Sequence, residues 1–316
     1  MQQPLESVVI RRAHELDRAA VEELCAHIWD GDDYLPFVFT NWLADAGGEF
    51  YVATLGGQLI GTGKLSCFAD DEWWLEGLRV HPDFQGRGIG RLLFRHGVRQ
   101  AEAKAGRGTS RFVTGYSNQA TRKLATEAGF LLAGHYVRYV ADTVISAQDA
   151  AAFRLLHEPE FPAVWAFLDS SPHFAHVQRS VKDTWITWRF LTPERLRTRL
   201  ADALVYGWYG HRHTPDALDG VIILNPLPEE PETTGEPRAL DVAYIDAITG
   251  SLAVIARAVR ALAAALDYPK AQHYLLARPE RLVAVEQAGW RRPDEAEGIS
   301  LYSRPFETAG DSITDL

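Results

Sequence analysis

The apolar run Val8-Val9-Ile10 makes residues 7–11 read as a strand; Leu16, Ala20, Val21, Leu24, Cys25 and Ile28 then recur at steps of three and four, which predicts an amphipathic helix. A polar and aromatic stretch over 29–34 separates this helix from a short apolar segment at 37–43, read as a second helix. Strands are expected over 49–54 and 58–68, joined by Gly56-Gly57 as a hairpin turn, and again over 73–80. The segment 88–105 has no internal proline and suits a helix; a strand at 110–116, a helix at 119–128 ending at Gly129, and a strand at 136–141 follow. The order through residue 141 is β-α-α-β-β-β-α-β-α-β. It implies an α+β fold, a mixed, mostly antiparallel sheet flanked by helices on both faces.

The rest of the chain repeats this plan in coarse form. After a mostly helical connector at 142–200, strands are expected at 204–209, 219–224 and 241–248, a long helix at 252–266, a strand at 272–277, a helix at 281–288 and a strand at 299–302. Ala128-Gly129-Phe130 has its counterpart in Ala288-Gly289-Trp290, each just after a helix. At 316 residues the chain exceeds what one core usually organises. The expected division is therefore a first domain at 1–141, the connector at 142–200, a degenerate second copy at 201–306 and a flexible tail at 307–316. The segment 226–237, with four prolines and four glutamates, reads as a solvated loop.

Charge and cysteine content narrow the chemistry. Thirty-two basic against 42 acidic residues give a net charge of -10, which argues against a protein that tracks nucleic-acid phosphates. Cys25 and Cys67 lack the paired spacing of a metal or redox motif, so a reducing compartment is expected and a disulfide framework is not. The start of the chain has no cationic head and apolar run, and no apolar stretch is long enough to span a membrane; a cytoplasmic location is expected. His211-Arg212-His213 has a spacing that suits a metal but no further ligands nearby, so no metal is assigned.

The chemically informative stretch is Leu75-Glu76-Gly77-Leu78-Arg79-Val80-His81-Pro82-Asp83-Phe84-Gln85-Gly86-Arg87-Gly88-Ile89-Gly90, a strand, a glycine-rich turn and a helix start in succession. Glycines let a backbone approach a ligand, and a helix start points unpaired N–H groups at the same spot, so together they make an anion site suited to a pyrophosphate. Arg87 and Arg91 add positive charge. The glycine spacing is not that of the dinucleotide fingerprint, and no Gly-Lys-Ser/Thr follows as in a nucleoside triphosphate loop.

Val80-x-Pro82 followed by Gln85-x-x-Gly88-x-Gly90, with Asn118, Leu124 and Gly129-Phe130 further on, resembles the coenzyme A pyrophosphate loop and following elements of the GNAT acyltransferase superfamily, over about residues 8–140. The resemblance implies acetyl-CoA as co-substrate. It implies that backbone groups of Leu78 and Val80 meet the pantetheine arm, that the amides of Gln85, Gly86, Arg87, Gly88, Ile89 and Gly90 hold the pyrophosphate, that Arg79 and Arg91 belong to the cofactor-binding set, and that Asn118 meets the arm from the other side. The second half carries only Gly250 at the equivalent turn, as though its cofactor loop were worn away. A narrower resemblance, over Trp29-Asp30-Gly31-Asp32-Asp33-Tyr34-Leu35-Pro36, Trp42-Leu43-Ala44-Asp45 and Glu76 to Val80, is to the histidine N-acetyltransferase group within that superfamily. It implies a small amine or amino acid as acceptor.

Acyl transfer from a thioester needs a neutral amine, and an amine of pKa about 10 is almost wholly protonated near neutrality, a cost of about 4 kcal/mol. Glu76 is the candidate base, period two placing it on the face of Leu78 and Val80; the alternative is that it orients an arginine or anchors the ammonium. Asp32, Asp33 and Tyr34 lie in the loop that lines the acceptor pocket in GNAT enzymes, where carboxylates would attract a cation; for either aspartate alone, a solvated helix cap is the competing role. Family members often carry a tyrosine, as acid for the leaving thiolate, where this chain has Ala125; water or Tyr116 would then serve. Trp73-Trp74 could wall the acceptor site on alternate faces. The expected protein is an N-acetyltransferase for a small-molecule amine, working by direct attack as a monomer or homodimer, without nucleic-acid or membrane partners. A peptide or protein N-acetyltransferase and a non-catalytic acyl-CoA-binding regulator remain the alternatives.

Overall fold

A computed structural model of the chain describes residues 7–184, 186–209, 217–226, 238–248, 250–293 and 298–307. In chain order the elements begin β1 (Val8–Arg12), α1 (Arg18–Ala26), α2 (Leu35–Ala44), β2 (Glu49–Leu55), β3 (Gln58–Ala69), β4 (Glu72–Val80), α3 (Ile89–Ala105), β5 (Arg107–Gly115), α4 (Gln119–Glu127) and β6 (Leu131–Asp142). This is the expected order, element for element. The chain continues through α5 (Ala147–Ala151), β7 (Phe153–Leu155), α6 (Phe161–Asp169), α7 (Pro172–His176), β8 (Ser180–Lys182), β9 (Trp188–Phe190), α8 (Pro193–Ala201), β10 (Val205–Trp208), β11 (Gly220–Leu224), β12 (Ala239–Ala247), α9 (Leu252–Ala265), β13 (Lys270–Leu276), α10 (Pro279–Gln287) and β14 (Ile299–Glu307). His211, His213 and Trp185, and the loop from residue 227 to 237, lie outside the described residues.

Two compact units emerge. The first takes residues up to Thr114, then Asn118–Leu132, and regains the chain at Tyr302; the second takes Gly115–Ser117 and Ala133–Leu301. The division thus departs from a single boundary at 141/142. In the first unit β1, β2, β3 and β4 pair antiparallel in sequence order, and β5 joins β4 in parallel through the α3 crossover. One face of this sheet packs Tyr51, Leu65, Trp73 and Leu75 against Leu93, Phe94 and Val98 of α3; the other packs Phe50, Val52 and Leu59 against Leu24, Phe39 and Trp42 of α1 and α2. The last strand completes the first core: Tyr302 stacks on Phe112 with ring centroids 5.3 Å apart, and Phe306 is buried in the same cluster.

The second unit follows a comparable plan: β7, β10, β11 and β12 pair antiparallel, and β13 joins β12 in parallel after α9. Its sixth strand is β6, antiparallel to β13. The connector expected to be mostly helical therefore also supplies an edge strand, β7, whose three residues are too few to display an alternation. The two Ala-Gly-aromatic punctuations close their helices in the same way. Phe130 N–H bonds to Ala125 O and Gly129 N–H to Thr126 O after α4; Trp290 N–H bonds to Val285 O and Gly289 N–H to Glu286 O after α10. Both glycines have positive φ, the requirement of this helix stop. Among the described residues no helix is long and apolar enough to cross a membrane, which says nothing of membrane-spanning strands.

Candidate active site

The site is built where β4 and β5 part. Among the described residues these parallel strands pair only from Glu72↔Thr109 to Trp74↔Arg111, and the buried Glu72 and Arg111 side chains form an ion pair at this closed end. Beyond it β4 leaves the parallel ladder; Leu78 O accepts from Arg79 Nη1 and Val80 O from the Gln85 amide, and an extended ligand would share this edge at Leu78 and Val80.

The turn after β4 is shaped for an anion. Gln85 donates its side-chain amide to Val80 O at 3.1 Å, which folds the loop back on the strand end. Gly86 and Gly88 have φ of +73° and +84°, and Gly88 is the N-cap of α3, so the first-turn amides of Ile89, Gly90 and Arg91 have no intrahelical acceptor. Arg87 donates to Asp83 O at 2.7 Å, and Arg91 is paired with Glu127 at 2.9 and 3.1 Å. Asn118 caps α4 by accepting from the Thr121 N–H. In the second unit only residues 248–251 link β12 to α9, against 81–88 between β4 and α3.

A bulge decides where Glu76 points. Lys64 pairs with Glu76 but Thr62 with Arg79, so on β4 Gly77 and Leu78 stand opposite Gly63 alone. Gly77 takes φ of +66°, and a Cβ there would lie 2.6 Å from the Trp42 ring. The extra residue reverses the alternation: Leu78 and Val80 pack with Trp73 and Leu75 on the α3 side, whereas Glu76 shares the opposite face with Lys64, Ser66 and Trp74. The expectation that Glu76 lies on the face of Leu78 and Val80 is therefore corrected, since simple period two fails across a bulge. It points instead toward the side covered by α1 and α2.

Ser66 Oγ donates to Glu76 Oε1 at 2.6 Å. Burial pushes the Glu76 carboxyl above its ordinary range, opposed by Ser66 and by the nearby Lys64 ammonium. Lys64, itself buried, is ion-paired with Asp45 at the end of α2 and donates to Leu65 O. Trp74 stacks on Phe68 on the Glu76 face, while Trp73 belongs to the α3-side core.

The loop before α2 divides its candidate residues. Asp32 is exposed. The Asp33 carboxylate is fully buried and takes hydrogen bonds from Arg79 Nε and Nη2 at 2.6 and 2.9 Å, so it anchors the loop to β4 and does not face an acceptor. The same pair keeps the Arg79 side chain on the α1 and α2 side. The Tyr34 ring lies 5.3 Å from that guanidinium, and burial pushes its hydroxyl up in pKa. Ala125 is fully buried in the α3-side core. Burial also pushes the Cys25 thiol up to about 12 and raises Cys67. The sequence analysis does not single out Lys64 and Ser66, although a lysine as the one charge in the strand from Leu59 to Phe68 is a signal of a buried ion pair.

Comparisons with known proteins agree with this geometry. Residues 16–130 match the model of the acetyltransferase (GNAT) family. Over 84 residues the chain is 34% identical to histidine N-acetyltransferase of Oreochromis niloticus, 26% of this chain and 25% of that protein, so it spans about a quarter of the length of the curated relative it matches. In fold, it is similar to a GCN5-related N-acetyltransferase from Sphaerobacter thermophilus, with a TM-score of 0.62 at 12% identity over 96% of this chain and 97% of that one. It is also similar to one from Kribbella flavida, with a TM-score of 0.50 at 16% identity over 94% and 71% of the two chains. The parted strands, the glycine turn and the match to the acetyltransferase (GNAT) family model fall on the same stretch, residues 16–130.

Proposed function

We propose that this chain is an acetyl-CoA-dependent N-acetyltransferase whose acceptor is the primary amine of a small molecule, with amino acids such as histidine the first to test. The observation that carries the proposal is the parting of β4 and β5 beside a partly buried carboxylate, Glu76, whose pKa is raised. Peptide groups of Leu78 and Val80 would pair with the pantetheine arm, and the amides from Gln85 to Arg91 would hold the pyrophosphate, a helix N-terminus being suited to that charge. Backbone groups lie in the sheet plane, so the bulge at Gly77 leaves the arm's partners in place while turning Glu76 toward an acceptor entering from the α1 and α2 side. Asp32 and Tyr34 would border that entry.

In the reaction, Glu76 takes a proton from the acceptor ammonium. The freed amine attacks the thioester carbonyl, the C–N bond forming as the C–S bond breaks. The nitrogen releases its second proton to solvent, and the leaving thiolate takes one from solvent, Ala125 offering no acid. A carboxylate with a raised pKa is the better base for this work near neutral pH. The second unit, with its shortened turn, serves as a degenerate copy that holds no cofactor of its own.

Thiol release with a panel of amines tests this reading. Turnover with small amines supports it, turnover with peptides alone makes the chain a protein N-acetyltransferase, and binding without turnover makes it an acyl-CoA-binding regulator. Glu76→Gln is expected to keep coenzyme A affinity and lower turnover by roughly 10²-fold, most at low pH where the acceptor is most protonated. An effect on the amine KM alone would make Glu76 an anchor.

A further inference from the structure

We propose that Ser66 is a positioning residue for the Glu76 base: its hydroxyl holds one carboxylate oxygen through a neutral hydrogen bond and leaves the other to take the proton of the acceptor ammonium. This rests on the assignment of Glu76 as base. The argument comes from how the first unit treats its two most buried carboxylates. Asp33 is held by two hydrogen bonds from the Arg79 guanidinium, and Glu72 is ion-paired with Arg111, each side chain almost wholly buried. Those two carboxylates are neutralised by permanent cations, the usual solution for a charge inside a protein.

Glu76 is treated differently. Its one hydrogen-bond partner among the described residues is the Ser66 hydroxyl, at 2.6 Å to Oε1, and Oε2 accepts none. An arginine in place of Ser66 would fix the carboxylate as an anion and weaken it as a base; an alanine would let it turn among rotamers. A hydroxyl fixes direction and adds no charge. Ser66 is itself 9% exposed, in the middle of β3, so its own position is set by the ladder.

The remaining groups that face Glu76 are Lys64 from β3, Asp45 from the end of α2, Arg79 from β4 and Tyr34 from the start of α2. Lys64 and Asp45 neutralise one another, as do Arg79 and Asp33. Ser66 is therefore the group whose removal changes the hydrogen bonding of Glu76 without adding or deleting a charge.

The test is the pH dependence of kcat/KM for Ser66→Ala and Ser66→Thr beside Glu76→Gln, on the full chain with acetyl-CoA and the best amine of the panel. Losing the donor disfavours the charged carboxylate, so Ser66→Ala is expected to move the acidic limb to higher pH. The loss should be several-fold on the acidic limb and shrink toward none on the alkaline plateau, with coenzyme A affinity unchanged. Ser66→Thr, which keeps the hydroxyl, should restore most of the rate. An equal loss on the acidic limb and the alkaline plateau, or no loss, with Glu76→Gln still inactive, overturns the role of Ser66 and leaves the base in place. Full activity of Glu76→Gln overturns both.

Discussion

Asp33 and Arg79, 46 residues apart in sequence, form a two-pronged ion pair in which the carboxylate is fully buried and the guanidinium nearly so. The pair ties the loop before α2 to the strand that carries Glu76, so that loop is held to β4 by a buried charge pair. Asp33→Ala removes the carboxylate that takes two hydrogen bonds from a buried guanidinium, and is expected to cost about 3–5 kcal/mol of stability. Urea unfolding of the variant measures this; a loss below about 1 kcal/mol would mean that water or another group replaces the carboxylate.

Gly88, at φ of +84° on the N-cap of α3, sets the approach of the loop to an anion. A β-branched residue there is strained and fills the space over the free amides. Calorimetry on the unaltered chain is expected to give one coenzyme A site, and Gly88→Val none. Two equivalent sites per chain would contradict the account of the short 248–251 link in the second unit.

The last strand completes the first core. Tyr302 and Phe306 cover Phe112 and its neighbours, and Arg304 pairs with Glu102 at 2.7 Å. Each buried aromatic contributes about 1.5–3 kcal/mol. A fragment of residues 1–142 lacks all three side chains and is expected to be poorly soluble and without a cooperative unfolding transition. A monodisperse fragment with a sharp melt and unchanged amine preference would refute this.

Stability should also report the Lys64–Asp45 pair. Burial pushes the Asp45 carboxyl up, but the Lys64 ammonium and the Gly48 and Gly47 amides outweigh it and hold it below its ordinary value. A carboxylate depressed in the native state stabilises it above the unfolded pKa, and this is lost as pH falls through the folded value. Asp45→Asn should thus melt lower than the parent at pH 7, with the gap narrowing as pH drops below about 4. A gap independent of pH would point to packing instead of charge.

The sequence by itself determined the elements of the first unit and the location of the glycine-rich turn between β4 and α3. Period two and period 3.6 report how a segment uses its own neighbours, and Gln85 to Gly90, Gly129 and Gly289 act within a few residues of themselves. Such features need no knowledge of partners. Tertiary structure decided the rest. The face of Glu76 depends on a bulge, visible only once Lys64 is known to pair with Glu76 and Thr62 with Arg79; Gly77 beside Glu76 allows that bulge but does not announce it. Asp33 reads as an acceptor carboxylate until Arg79 is brought to it, and Ser66 is an ordinary strand serine until β3 and β4 align it with Glu76. β7 is too short to carry a period, and the return of Tyr302 and Phe306 to the first core follows from strand pairing alone. Pairing and desolvation are properties of residues distant in the chain, and their energies exist only when the fold has brought those residues together.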